Sequence, residues 1–252
     1  MASHIIEIQN LSKRFGDNAI LDNVSINVEE AENLVVFGRS GTGKSVLLKC
    51  IVGLMKPDAG EILIKDENVW RISLKALNEI RKKVGFLFQG AALYDSMSVR
   101  ENLQFPLTMH FDHSQKEMDE KTEQTLELVG LEGSIDKMPS ELSGGMRKRI
   151  GLARSIITDP EIMFYDEPTT GLDPISSKEI SELILDLQKK LKMTSIIVTH
   201  DLICAEIIAD RAIFLRNSKI AFEGEIDKLT KSDDPFLKNF FSHDLIEEEG
   251  ST

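Results

Sequence analysis

The stretch NLVVFGRSGTGKSVLLKCIVGL, Asn33 to Leu54, decides how the rest of the chain is read. Asn33 to Gly38 is a short, continuously apolar run ending at glycine, the pattern of a buried strand. Leu47, Leu48, Ile51 and Leu54 then recur at helical spacing. Between them lies GRSGTGKS, Gly38 to Ser45, a full match to G-x-x-x-x-G-K-[ST]. Glycines there let backbone N–H groups turn inward around phosphates, and the helix N-terminus adds its positive end. Gly38, Arg39, Ser40, Gly41, Thr42, Gly43 and Val46 are therefore candidate phosphate-binding positions. Lys44 would reach the outer phosphates, and the Ser45 hydroxyl would ligate Mg²⁺. The alternative is a chance glycine-rich turn. Its placement between a buried strand and a helix, where phosphate binding needs it, argues against that.

Outward from this stretch, Ile5–Gln9, Ala19–Glu30, Glu61–Asp66 and Val84–Gln89 read as strands, with a turn at Pro57, Asp58 and Gly60. From about Val99 to about Ile157 the periodicity is helical, with breaks expected at Pro106, at Gly130 to Gly133 and at Pro139. Buried strands return at Glu161–Glu167 and Thr194–His200, separated by a long helix over Ile175–Lys192. Arg211–Glu225 reads as a hairpin turning at Asn217-Ser218, and Pro235–Phe241 as a short helix. The pattern predicts one α/β domain over residues 1–245, with core segments 1–90 and 160–225 and a helical subdomain at about 91–159. A C-terminal helix is expected at about 226–243, and the acidic tail at 244–252 is expected to be disordered.

Two further stretches carry chemistry. EIMFYDE brings Asp166 to the C-terminal end of an apolar strand, where ligands gather in open parallel sheets. Asp166 would hold Mg²⁺ through water, and Glu167 is placed to polarise an attacking water. LSGGMRKRIGLARS, Leu142 to Ser155, starts as a serine-capped helix, with Arg147, Lys148 and Arg149 expected on a surface or interface face. A solvated helix explains Ser143 and the charges but not Gly144 and Gly145, since glycine costs a helix about 1 kcal/mol each. Glycine makes sense where another backbone or a phosphate must approach closely.

LSGG between a P-loop and a DE strand resembles the signature of the ATP-binding-cassette superfamily, and the rest of that pattern is present in order. Gln89 in FLFQ is similar to the Q-loop glutamine, Asp173 in TTGLDP to the D-loop aspartate, and His200 in VTHD to the switch histidine. Phe15 in LSKRFG stands where the family stacks an aromatic on adenine. The resemblance covers nearly the whole chain. It implies a P-loop NTPase fold of the cassette type, a RecA-like core with an antiparallel β subdomain and a helical insertion. It implies ATP and Mg²⁺ as ligands, with Ser45, Gln89 and Asp166 near the metal and Glu167, His200 and Gln89 in catalysis. It also implies a homodimer, in which Ser143, Gly144 and Gly145 of one copy face the nucleotide of the other. By themselves, His200 reads more readily as a cap or a satisfied core group after a strand, and Phe15 equally as packing near a turn.

The run Phe88 to Leu107, FQGAALYDSMSVRENLQFPL, resembles the cassettes of lipid-trafficking systems of the Mla and Mce group. There a small-residue run matches Ala91-Ala92-Leu93-Tyr94-Asp95-Ser96, and methionine follows the signature glycines as Met146 does here. The resemblance implies a lipid-transport ATPase docked near residues 89–111 on an integral-membrane permease, with further substrate-binding or regulatory subunits possible. Arg39 is a departure, since proline or a small residue is more usual there, and the short acidic tail puts in doubt any C-terminal contacts between subunits. Leu93, Tyr94, Met97, Leu103, Phe105, Leu107, Met109 and Phe111 serve either as core of the helical insertion or as a groove for a permease helix. A cassette for polar amino acids, a non-transport cassette and a regulator without turnover remain as alternatives.

Composition bounds these readings. With 30 basic against 42 acidic residues the net charge is −12, which speaks against nucleic acid as a partner. Cys50 and Cys204 lie far apart in apolar helical stretches, with no metal-ligand spacing, and suit a reducing cytosol. The N-terminus has no signal-peptide pattern and no apolar run approaches the roughly 20 residues a membrane span needs. The expected location is therefore cytoplasmic, at the inner face of a cell membrane through the permease.

Overall fold

β1 (His4–Phe15) and β2 (Asn18–Glu29) pair antiparallel, and β4 (Ala59–Ile64) joins the other edge of β1, followed by the two-residue β5 (Glu67–Asn68). The computed structural model describes residues 4–39 and 41–241; Ser40 and the expected acidic tail lie outside the described residues. Ile6, Ile8, Leu11, Leu21, Val24 and Ile62 are fully buried and give this antiparallel sheet its inner face. Gly60 lets β4 close on β1, since a Cβ there would lie 2.5 Å from the carbonyl oxygens of Gln9 and Asn10.

The chain divides into two compact units, Met1–Arg71 with Ile196–Thr252, and Ile72–Ser195. In the first, every residue of β3 (Asn33–Phe37) is buried, and β3 lies parallel to β9 (Arg211–Arg216). β9 returns antiparallel as β10 (Lys219–Gly224) through Asn217 and Ser218, whose φ values of 49° and 66° suit the tight hairpin turn that the sequence predicts. α1 (Lys44–Ile51) follows the phosphate-type loop, and α7 (Leu202–Ile208) follows β8 (Thr194–Val198). α8 (Ile226–Thr230) and a second helical stretch, residues 235–241, occupy the expected C-terminal helical region. Phe236, Phe240 and Phe241 pack edge-on against Phe214 there.

The second unit holds α2 (Leu74–Arg81), β6 (Val84–Leu87) and β7 (Ile162–Asp166), the two strands paired parallel. Its helical part is α3 (Val99–His110), α4 (Gln115–Leu128) and α5 (Gly144–Ile156), and α6 (Pro174–Leu191) follows β7. α4 ends before Gly130, at φ +67°, and Pro139 opens a short 3₁₀ turn, as the sequence predicts. Pro106 does not break α3, contrary to expectation. A capping box of Ser98 and Glu101 starts the helix, and Leu103 and Leu107, both fully buried, anchor it on either side of the proline. Packing of an apolar face outweighs a single missing N–H. The helix stops instead at Phe111, before the next serine cap at Ser114. α2, which the periodicity did not single out, is started by Ser73 accepting from the Ala76 N–H. No helix of the described residues is long and apolar enough to cross a membrane.

Candidate functional site

In the first unit, glycine builds the loop between β3 and α1. Gly41 and Gly43 take φ values of +80° and +101°, which L side chains rarely adopt. A Cβ on Gly43 would lie 2.8 Å from Ile20 Cγ2 and from the Ile20 carbonyl oxygen. One on Gly38 would lie 2.5 Å from Thr42 Oγ1 and 2.8 Å from the Leu215 carbonyl oxygen. Within the loop, Lys44 is buried and its Nζ donates to the carbonyls of Gly38 at 2.5 Å and Arg39 at 3.3 Å. The Thr42 N–H and hydroxyl also donate to the Arg39 carbonyl. Gly43 is the N-cap of α1 and supplies no side-chain cap, so the first turn presents its positive end to the loop. A lysine, a helix N-terminus and a backbone that excludes side chains make an anion cradle. Ser45 and Val46 open α1 from half-buried positions.

Three other expected residues belong to the same unit. Phe15, at the end of β1, is 51% exposed, with Lys13 Nζ 5.7 Å from its ring centroid. His200 is exposed just past β8, before Asp201, which caps α7 through the Cys204 N–H at 2.9 Å. Arg39 is exposed with its guanidinium 5.1 Å from the ring centroid of Phe236, and Arg216 approaches the same ring at 3.9 Å. Cys50 lies on the buried face of α1, and burial pushes its thiol up to about 11, an inert structural thiol.

The remaining expected residues lie in the second unit. Asp166 ends β7, and Glu167 follows at φ +53°, a left-handed position that is uncommon for a non-glycine residue. Gln89 is exposed two residues past β6. Ser143 caps α5 by accepting from the Met146 N–H at 3.3 Å. Gly144 and Gly145 behave unlike the loop glycines: neither has a positive φ, and an added Cβ would meet nothing closer than 3.9 Å. The fold of this chain does not require glycine there. Asp173 caps α6, accepting from the Ser176 hydroxyl at 2.6 Å and from the N–H groups of Ile175 and Ser176. The Ser176 hydroxyl is the main reason its carboxyl titrates below the ordinary range.

The oxygen donors at Ser45, Gln89 and Asp166 are hard ligands of the kind Mg²⁺ prefers. Among the described residues no three His, Cys, Asp or Glu side chains gather into a metal cage.

Lys148 is a correction to the sequence reading. Arg147 is exposed and Arg149 reaches Glu179 at 2.8 Å, but Lys148 is only 6% exposed. Its Nζ donates to the carbonyl of Gln89 and, at 3.3 Å, to that of Glu167. Burial lowers its pKa, while the Glu167 and Asp166 carboxylates oppose that shift. The signal was its place on the α5 face shared with Gly151, Leu152 and Ser155, all buried. Of the apolar residues between 93 and 111, Leu103 and Leu107 are core, whereas Tyr94 and Met109 are exposed. Phe86, Phe88, Tyr94, Phe105 and Arg154 contribute to the lining of an open cavity of about 320 Å³.

Residues 21–170 match the family model described as ABC transporter. The chain is 41% identical over 234 residues to the Haemophilus influenzae protein named intermembrane phospholipid transport system ATP-binding protein MlaF, covering 93% of this chain and 89% of that one. It is 40% identical over 237 residues to the Mycobacterium leprae protein named probable ribonucleotide transport ATP-binding protein mkl, covering 94% of this chain and 68% of the relative. Among solved structures, the ATP-binding cassette MJ0796, dimeric in a post-hydrolysis state with ADP and Pi, is similar at TM-score 0.79 and 30% identity. That match covers 88% of this chain and 98% of the other.

Proposed function

The chain belongs to the ABC transporter family, and from that premise we propose that it is the ATP-hydrolysing subunit of a transporter that moves membrane phospholipid. The observation that carries the cargo is the run Ala91 to Ser96, with its likeness to lipid-trafficking cassettes, together with the MlaF-named relative. The mkl-named relative carries a different cargo in its name, ribonucleotide, and supplies the rival reading.

The residues divide the work. Lys44, the 38–46 backbone and the start of α1 bind the phosphates, and Phe15 stacks on the base. Ser45, Asp166 and Gln89 would hold Mg²⁺, which supplies charge neutralisation on the phosphates when bound. Glu167 orients and polarises the attacking water, and His200 donates toward the γ-phosphate. Ser143, Gly144 and Gly145 present a second anion site for nucleotide carried by another copy, and Asp173, the D-loop-like aspartate of the same unit, contributes to nucleotide binding. Glycines that their own fold does not crowd support that approach from outside. The homodimer would sit peripherally on the cytoplasmic face of the inner membrane, bound through residues 89–111 to a permease. Exposed Tyr94 and Phe88 beside the cavity favour an amphipathic permease helix as occupant. That docking run would then lie largely within the helical segment at about 91–159.

The test is to isolate the tagged chain with its membrane partners and reconstitute the complex in phospholipid vesicles. Labelled phospholipid should move between membranes on ATP and Mg²⁺, and Glu167→Gln should abolish movement while nucleotide binding persists. Transport of a ribonucleotide or amino acid instead would replace the cargo but keep the ATPase. A chain that is active in cells with no multi-span partner would remove the transporter reading.

A further inference from the structure

One face of α5 grips the segment that follows β6. Lys148, Gly151 and Arg154 are spaced three apart on that face, and each meets residues 89–94. Lys148 donates to the Gln89 carbonyl, and Arg154 donates to the Ala91 carbonyl at 3.0 Å, with its guanidinium 5.7 Å from the Tyr94 ring centroid. Between them Gly151 leaves room for Ala91, since a Cβ there would lie 2.8 Å from Ala91 Cβ. The gripped backbone is unusual: Ala91 and Ala92 take φ values of +58° and +50°. Glu167, also at positive φ, is held at its carbonyl by the same Lys148 ammonium and by the Thr170 N–H, each at 3.3 Å. Left-handed non-glycine residues persist where their surroundings hold them.

We propose that Lys148 is a positioning residue that ties the Gln89 backbone to the Glu167 backbone, carrying displacement of the 89–94 segment to the carboxylate that orients water. A buried ammonium donating to two carbonyls fixes their relative positions more tightly than a neutral side chain, because charge-assisted hydrogen bonds are the stronger kind. The inference rests on the roles proposed above for Glu167 and Gln89. It concerns a residue that makes no contact with nucleotide in that reading.

The experiment compares Lys148→Met, Lys148→Gln and Lys148→Arg with wild type in the isolated complex, alongside Glu167→Gln. Lys148→Met is expected to lower kcat by about ten- to a hundredfold with KM for ATP changed less than about threefold, as misplacing a reacting group does. Lys148→Arg, which keeps a cation with several donors, should recover most of the rate, and Lys148→Gln should fall between. In Lys148→Met, hydrogen exchange should accelerate at 89–94 and 167–170 and remain unchanged at α1. A kcat for Lys148→Met within about twofold of wild type, unchanged exchange at those segments, a matching rise in KM, or an arginine variant as slow as the methionine one would each overturn the proposal. If Lys148→Met does not fold, the order of the other two decides, and a glutamine variant as fast as the arginine one overturns it. Should Glu167→Gln keep full turnover, the reading of Glu167 fails. The exchange measurement still reports whether Lys148 ties the two segments.

Discussion

Gly43 and Gly144 are both glycines in a binding motif, yet their own fold treats them differently. At Gly43 the φ of +101° and the 2.8 Å approach to Ile20 exclude a side chain. Gly43→Ala is therefore expected to distort the loop and lower ATP affinity by about tenfold or more, measured by titration with a fluorescent nucleotide. At Gly144 and Gly145 a methyl fits, and alanine favours a helix by up to about 1 kcal/mol over glycine. Gly144→Ala and Gly145→Ala should leave the melting temperature unchanged or raised while ATP turnover falls, because the cost arises only when a second copy brings nucleotide. A melting temperature that falls together with turnover would place the need for glycine inside the chain. The loop residues were legible one by one, since phosphate binding demands particular residue types at fixed offsets. Lys148 was not, because its acceptors lie 59 and 19 residues away in sequence.

At the scale of elements, α3 shows how local signals and packing divide the work. Its start is written in Ser98 and Glu101, whose backbone and side chains bond reciprocally at 2.7 and 3.3 Å. Ser98→Ala should cost about 1 kcal/mol, or roughly 2–4 °C in a melting curve. Pro106 supplies no N–H for the Asn102 carbonyl one turn back, so Pro106→Ala is expected to stabilise α3 and slow amide exchange through it. Loss of stability in that variant would mean that the native backbone needs the proline. The strands were legible from alternation and from short apolar runs. The continuation of α3 through Pro106 was not, because the burial of Leu103 and Leu107 depends on α4 and α5, which come later in the chain.

For the whole molecule, one P-loop and one signature per chain imply that complete sites need two copies. Glu167→Gln, which should bind ATP without turning it over, is expected to elute as a dimer in ATP and Mg²⁺ and to revert when nucleotide is removed. Persistence as a monomer in saturating ATP would sink the composite site. Acid should unfold the protein for an identifiable reason. The Arg14 N–H and Lys13 hold the Asp58 carboxyl low, the Gln104 amide does so for Asp119, and the Ser98 and Ser114 caps do so for Glu101 and Glu117. Folded pKa values below the unfolded ones contribute stability that is present above the ordinary carboxylate range and lost as pH falls through the depressed values. The melting temperature should therefore be flat above about pH 5 and drop steeply below about pH 4.

Local residue patterns were enough to place the P-loop, the strand that carries Asp166, the serine-capped signature helix and most of the strands and helices, though not α2. Each depends on residue types at short, fixed spacings, whose physical preferences act locally. Packing decided that Lys148 is buried, with its ammonium on the Gln89 and Glu167 carbonyls, and is not a surface charge. It also decided that Ala91, Ala92 and Glu167 adopt left-handed backbone, and that Tyr94 and Met109 are exposed while Leu103 and Leu107 are core. Those outcomes depend on what packs against a given face, and that partner is supplied by segments far along the chain.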